Sequence, residues 1–177
     1  MSETGCFLIG PNGAGKTTVS RILANFLSLK FIDSDLELEK IHNKKIIELW
    51  NDLGEAAFLD LETKFLNYIT TRKNIVLATN AHSILSIENR NLFNIRGQTI
   101  YLAANPINQY IRVMLSGRQS PRLLAANDKL QYLTDIAKIM EPLYHSIADF
   151  VVDTDNCGIE EVVNKIIDYL HCRTHCV

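Results

Sequence analysis

Residues 10–17 read Gly-Pro-Asn-Gly-Ala-Gly-Lys-Thr, the G-x-x-x-x-G-K-T pattern. An apolar run of strand length, Cys6-Phe7-Leu8-Ile9, precedes it, and apolar residues at Val19, Ile22, Leu23, Phe26 and Leu27 mark one face of a helix after it. Strand, glycine-rich turn and helix in immediate succession are the context in which this motif binds phosphate. The glycines let the backbone curl so that its N–H groups point at an anion, and the helix turns its positive end toward the same point. Asn12, Gly13, Ala14, Gly15, Lys16, Thr17 and Thr18 are therefore expected to line a nucleotide phosphate site. Lys16 supplies a point charge for the β- and γ-phosphates, and Thr17 offers a hydroxyl to Mg²⁺.

Further short apolar runs predict strands at 5–10, 30–33, 74–79, 98–103 and 149–153. They lack alternation, as strands covered on both faces do. Helical stretches at 16–28, 35–53, 55–72, 86–95, 105–118, 127–146 and 158–171 separate them. Alternating β and α predicts an α/β fold, a doubly wound five-stranded parallel sheet flanked by helices. With 177 residues and no repeat or linker, one domain over 1–177 is expected.

The net charge of −2 argues against a nucleic-acid partner. No apolar run reaches the roughly 18 residues of a membrane span. The motif begins within ten residues of the first residue, leaving no room for a signal peptide, so the cytoplasm is the expected location and a monomer the expected state. Cys6 is expected in the core. The tail His171-Cys172-Arg173-Thr174-His175-Cys176 resembles a metal-ligand cluster, but one helical turn cannot wrap a tetrahedral ion.

The second strand ends in Asp33-Ser34-Asp35. Ligands of open α/β sheets bind beyond the carboxyl ends of strands, which sets these carboxylates beside the phosphates. Asp33 is expected to hold Mg²⁺ through water, and Asp35 to take a proton from an acceptor hydroxyl as general base. The alternative is that one of them caps the helix that follows. The stretch 116–128 carries Gly117, Pro121, Arg118 and Arg122 with little apolar periodicity. It reads as an exposed mobile lid over the phosphates, or else as a solvated loop.

The order P-loop, Asp33-Ser34-Asp35, Gly54-Glu55-x-x-Phe58 with Glu62, Leu77-Ala78-Thr79, Leu123-Leu124, Pro142-Leu143-Tyr144 with Ile147-Ala148-Asp149, and Asp153-Thr154-Asp155 resembles the shikimate kinase family over nearly the whole chain. The resemblance implies a five-stranded parallel sheet with a lid, related to nucleoside monophosphate kinases. It implies transfer of the γ-phosphoryl of ATP, with Mg²⁺, to a hydroxyl of shikimate, and an adenine contact at the Asp153-Thr154-Asp155-Asn156 loop.

The departures from the family pattern fall in its acceptor pocket. An arginine is expected directly after Phe58, where Leu59 stands. A Gly-Gly-Gly turn is expected where the chain has Asn80-Ala81-His82, and a second arginine where it has Met140. The lid's Arg-Pro-Leu-Leu is Pro121-Arg122-Leu123-Leu124. Arg118, Arg122 or Arg112 is then expected to contact the phosphates. The acceptor set becomes Asp35, Leu59, Glu62, Asn80, Ala81, His82 and Met140. His82 either bonds a neutral acceptor or acts as acid or base near neutral pH, or simply fills the turn. Trp50 and Tyr144 read as packing residues, and Arg90 and Arg96 as solvated. Losing a charged partner of a buried carboxylate costs about 2–5 kcal/mol, so two missing arginines predict poor shikimate binding.

Three functions follow: a kinase for another small hydroxylated acceptor; a divergent shikimate kinase of aromatic amino-acid biosynthesis; or a nucleotide-binding protein, catalytically weak, that acts through a protein partner.

Overall fold

The computed structural model describes residues 5–174. Five parallel strands, β1 (Gly5–Ile9), β2 (Lys30–Asp33), β3 (Ile75–Ala78), β4 (Gly97–Ala103) and β5 (Phe150–Asp153), form one sheet in the order β2-β3-β1-β4-β5. β1 lies at its centre, with Leu8 between Ala78 of β3 and Ile100 of β4. The side chains of β1 explain why the sheet is covered on both faces. Phe7 and Ile9 enter a core with Leu66, Ile69, Phe93 and Tyr144, while Cys6 and Leu8 enter another with Leu23, Val163 and Ile166. A strand whose two faces are both buried shows no polar alternation, as its composition predicted.

The helices are α1 (Lys16–Leu27), α2 (Ser34–His42), α3 (Ile46–Leu53), α4 (Glu55–Ile69), α5 (Ile87–Arg96), α6 (Pro106–Ser116), α7 (Pro121–Ala125), α8 (Lys129–Ile147) and α9 (Ile159–Thr174), with a 3₁₀ turn over Ala81–Leu85. α1 and α9 cover one face, and α2, α4, α5 and α8 the other. Among the described residues no helix is long and apolar enough to cross a membrane.

Two expectations change. The single helix read over 35–53 is two helices, because Asn43 takes a left-handed conformation (φ 51°) that ends α2. The segment 116–128 is not a bare exposed loop. Ser120 accepts from the Leu123 N–H and Pro121 occupies the first turn, which nucleates α7. Pro121 and Leu123 are buried, Leu123 against Val113 and Leu133.

Candidate active site

The phosphate loop is pressed against β4 and α6. Gly10 has φ 145° and Gly13 φ 78°, and a Cβ on them would stand 2.4 Å from the Leu102 carbonyl and 2.8 Å from the Gln109 carbonyl. No other residue fits either position. The Lys16 ammonium donates to the carbonyls of Gly10 (2.7 Å) and Pro11 (2.8 Å), so it lies inside the loop's curl. Burial lowers its pKa to about 8, against the pull of Asp35 and Asp33. The Thr17 hydroxyl donates to Asp33 Oδ2 at 2.6 Å. Thr18, next along, is exposed.

Asp33, not Asp35, is the helix cap. Its Oδ1 accepts from the backbone N–H groups of Asp35 and Leu36, both at 3.2 Å. That orients Oδ2 toward Thr17 and seats Asp35 in the first turn of α2, rather than on an extended segment. Asp35 receives the Asn80 amide on both oxygens, at 3.1 and 3.3 Å. Burial raises its carboxyl to about 6, the Asn80 bond opposing.

The Asn80-Ala81-His82 turn is built by its own side chains. Asn80 Oδ1 accepts from the His82 N–H at 2.8 Å and starts the 3₁₀ turn, and the Ala81 carbonyl accepts from the Tyr144 hydroxyl at 2.8 Å. His82 is buried with Nε2 3.0 Å from the Tyr132 hydroxyl. Burial, with the nearby charges of Arg122 and Lys16, pushes it down to about 3. It stays neutral at physiological pH, which removes the expected acid–base role and leaves hydrogen bonding.

Glu55, Leu59 and Glu62 stand at i, i+4 and i+7 on α4 and form one stripe. Arg122 of α7 pairs with Glu55 and lies 5.5 Å over the Trp50 ring. Its charge reaches Glu62 and His82. Arg122 therefore lies among residues expected to hold the acceptor, rather than among those expected to hold the phosphates. Arg112 does lie at the loop: it donates to the Gly13 carbonyl at 3.3 Å and to the Thr154 hydroxyl (2.9 Å) and carbonyl (2.6 Å). Arg118 is exposed beyond α6.

Leu59 is half-buried beside Glu62. Met140 is a core residue, 3% exposed, in the wall of a cavity of about 310 Å³ with Pro11, Tyr101, Gln109 and Tyr144. Tyr144 packs as expected, stacked on Tyr101 at 4.8 Å. Trp50 packs on Phe58 but also supports Arg122. Arg90 and Arg96 are half-buried and have protein partners as well as solvent: Arg90 donates to the carbonyls of Ile84 and Leu85, and Arg96 to Asn67. Cys6 is buried in β1, its thiol pushed up to about 12. Among the described residues no His/Cys/Asp/Glu group could hold a metal ion by itself, and His175 and Cys176 lie outside them.

Three contacts had no signal in the reading of the site. Tyr132 holds His82, Thr154 holds Arg112, and Ser120 accepts from the Asn12 amide at 3.2 Å, which joins the start of α7 to the phosphate loop. Each partner is 42 or more residues away in sequence, beyond the reach of local pattern.

A family model described as shikimate kinase matches residues 12–171. The shikimate kinase of Pasteurella multocida (strain Pm70) is 40% identical over 164 residues, 93% of each chain. That of Haemophilus influenzae (strain PittEE) is 39% identical, over 93% of this chain and 91% of its own. Among solved structures, shikimate kinase from Acinetobacter baumannii in complex with shikimate superposes with a TM-score of 0.91 at 34% identity, covering 97% of this chain and 95% of that one.

Proposed function

This chain belongs to the shikimate kinase family, and from that premise we propose that it moves the γ-phosphoryl of ATP to a hydroxyl of a small acceptor other than shikimate. The observation that carries the acceptor change is the stripe on α4. Leu59 stands between two carboxylates, Met140 is apolar and buried, and the arginine nearest the stripe, Arg122, is already paired with Glu55. A carboxylate leaving water needs an unoccupied guanidinium or comparable donor, and those positions offer none.

Thr17 Oγ1 and Asp33 Oδ2 are hard oxygen donors 2.6 Å apart, which suits Mg²⁺, a cation that keeps most of its water. These two residues would hold it, and the ion would neutralise phosphate charge during the transfer. Lys16 then exchanges loop carbonyls for phosphate oxygens, still charged because its pKa of about 8 exceeds neutral pH. Asp35, aligned by Asn80, accepts the proton of the acceptor hydroxyl. As that O–H bond breaks, the freed oxygen bonds the γ-phosphorus, and the bond to the bridging oxygen of ADP breaks on the far side. Arg112 lies between Gly13 and Thr154, where it can flank the nucleotide. Arg118 would join the phosphates on lid closure.

A second reading keeps shikimate as the acceptor. The 40% identity to a curated shikimate kinase favours it, and it requires Arg122 to leave Glu55. ADP release with shikimate and with panels of cyclitols, sugars, hydroxy acids and nucleosides separates the two. We expect kcat/KM for shikimate to fall about 100-fold or more below the best acceptor, as the loss of a buried charged contact implies. Leu59→Arg combined with Met140→Arg should raise the use of shikimate. Saturation of the natural chain by micromolar shikimate selects the second reading. Tight ATP binding with no acceptor-stimulated release selects a nucleotide-binding protein acting through a partner.

A further inference from the structure

The acceptor half contains a buried carboxylate, one oxygen of which has no hydrogen-bond partner among the described residues. This is Glu62, 1% exposed, whose Oε1 is shut from solvent. The charges that reach it are Asp35 on α2 and Arg122 on α7. Arg122 is held by Glu55, and His82, which the same arginine's charge reaches, is neutral. Leu59, three residues before Glu62 on the same helix face, supplies no cation. The half-site thus sets Glu55, Glu62 and Asp35 against Arg122, while Lys16 lies on the carbonyls of the phosphate loop.

A buried carboxylate is costly unless paired, and a ligand can be the partner. Resting on the reading of the chain as a kinase whose acceptor is not shikimate, we propose that the acceptor carries a protonated amine, seated against Glu62, on the same small molecule whose hydroxyl meets Asp35. Aminocyclitols and amino sugars are the chemical class that offers both groups at short range. Glu62 also makes docking a proton-linked event. Burial, with Asp35 beside it, raises its carboxyl to about 8, so near pH 7 the empty site holds a proton there. An arriving ammonium favours the carboxylate, and that proton leaves to solvent.

The test is calorimetry on the ADP·Mg²⁺-loaded protein at pH 7, in two buffers of different ionisation enthalpy. The probes are the pairs scyllo-inosamine with scyllo-inositol and glucosamine with glucose, together with shikimate and ammonium chloride. We expect an amine to bind about tenfold or more tighter than its hydroxyl counterpart, a difference of about one decade in Kd, with release of close to one proton. Glu62→Gln should close the gap to about threefold or less and abolish the proton release. Equal binding within both pairs overturns the inference, as does an amine preference that survives Glu62→Gln. If ammonium chloride reproduces the proton release, Glu62 is a site for a free ion and the inference also falls. Should Glu62→Gln fail to fold, the wild-type pair ratio and proton count decide alone. Phosphorylation of the neutral cyclitol or sugar without any amine preference sinks this inference and leaves the kinase reading standing. Binding of shikimate alone sinks both.

Discussion

A carboxylate's role follows from which of its oxygens the fold leaves open. Asp33 commits Oδ1 to the N–H groups of Asp35 and Leu36, the second and third residues of α2, and turns Oδ2 to Thr17, so it is fixed and suited to a cation. Asp35 meets one amide only, from Asn80, and keeps lone pairs for a proton. Asp35→Asn should leave ADP·Mg²⁺ affinity within about twofold while turnover falls about 10²–10⁴-fold, the range general-base catalysis supplies; calorimetry and ADP release measure the two. In the natural chain kcat at saturating acceptor should fall with unit slope on the acid side, as the Asp35 carboxylate, raised by burial, takes up a proton. The spacing of Asp33 and Asp35 was legible in the sequence, since both follow directly from the end of β2. Which of the two caps the helix was not, because that depends on the helix starting at Ser34 rather than at 35.

At the scale of elements the segment 116–128, which we propose to be a lid, is a short helix with a tether. Ser120 caps α7 and also accepts from Asn12, so one hydroxyl serves both the lid's own order and its link to the phosphate loop. Two variants separate these roles. Ser120→Ala should destabilise the lid by about 1 kcal/mol, the usual value of a cap, and speed hydrogen exchange at Leu123 and Leu124 about fivefold. Asn12→Ala keeps the cap, so exchange at those amides should rise by less than half as much. Equal effects would assign the lid's order to the tether instead. Ser-Pro at 120–121 is a helix-start signature that was available in the sequence. Two arginines and few apolar residues obscured it, because α7 packs through only Pro121 and Leu123.

For the whole molecule, the two raised carboxyls make stability depend on pH in an unusual direction. The folded chain keeps the Glu62 proton up to about 8, whereas the unfolded chain releases it near 4.5. This contribution is therefore complete below about 4.5 and is lost as pH rises through about 8. Asp35 acts in the same sense between its ordinary 3.8 and about 6. Glu62→Gln should thus gain thermal stability over the natural chain as pH rises from 5 to 8.5, and lose that advantage at the acid end; melting curves across this range, without nucleotide, measure it. A flat difference would mean that Glu62 ionises freely in the folded state. The sequence by itself determined the parallel sheet, the phosphate loop and the Lys16, Thr17 and Asp33 constellation. These arise from strand, turn and helix signals lying within a few residues of one another, and a backbone wrapped on an anion site tolerates little else. Only the tertiary structure decided that Arg122 turns to Glu55, 67 residues away, and that one oxygen of Glu62 is left buried without a partner among the described residues. Electrostatic pairing depends on distance in space between elements far apart in the chain, and no local pattern encodes it.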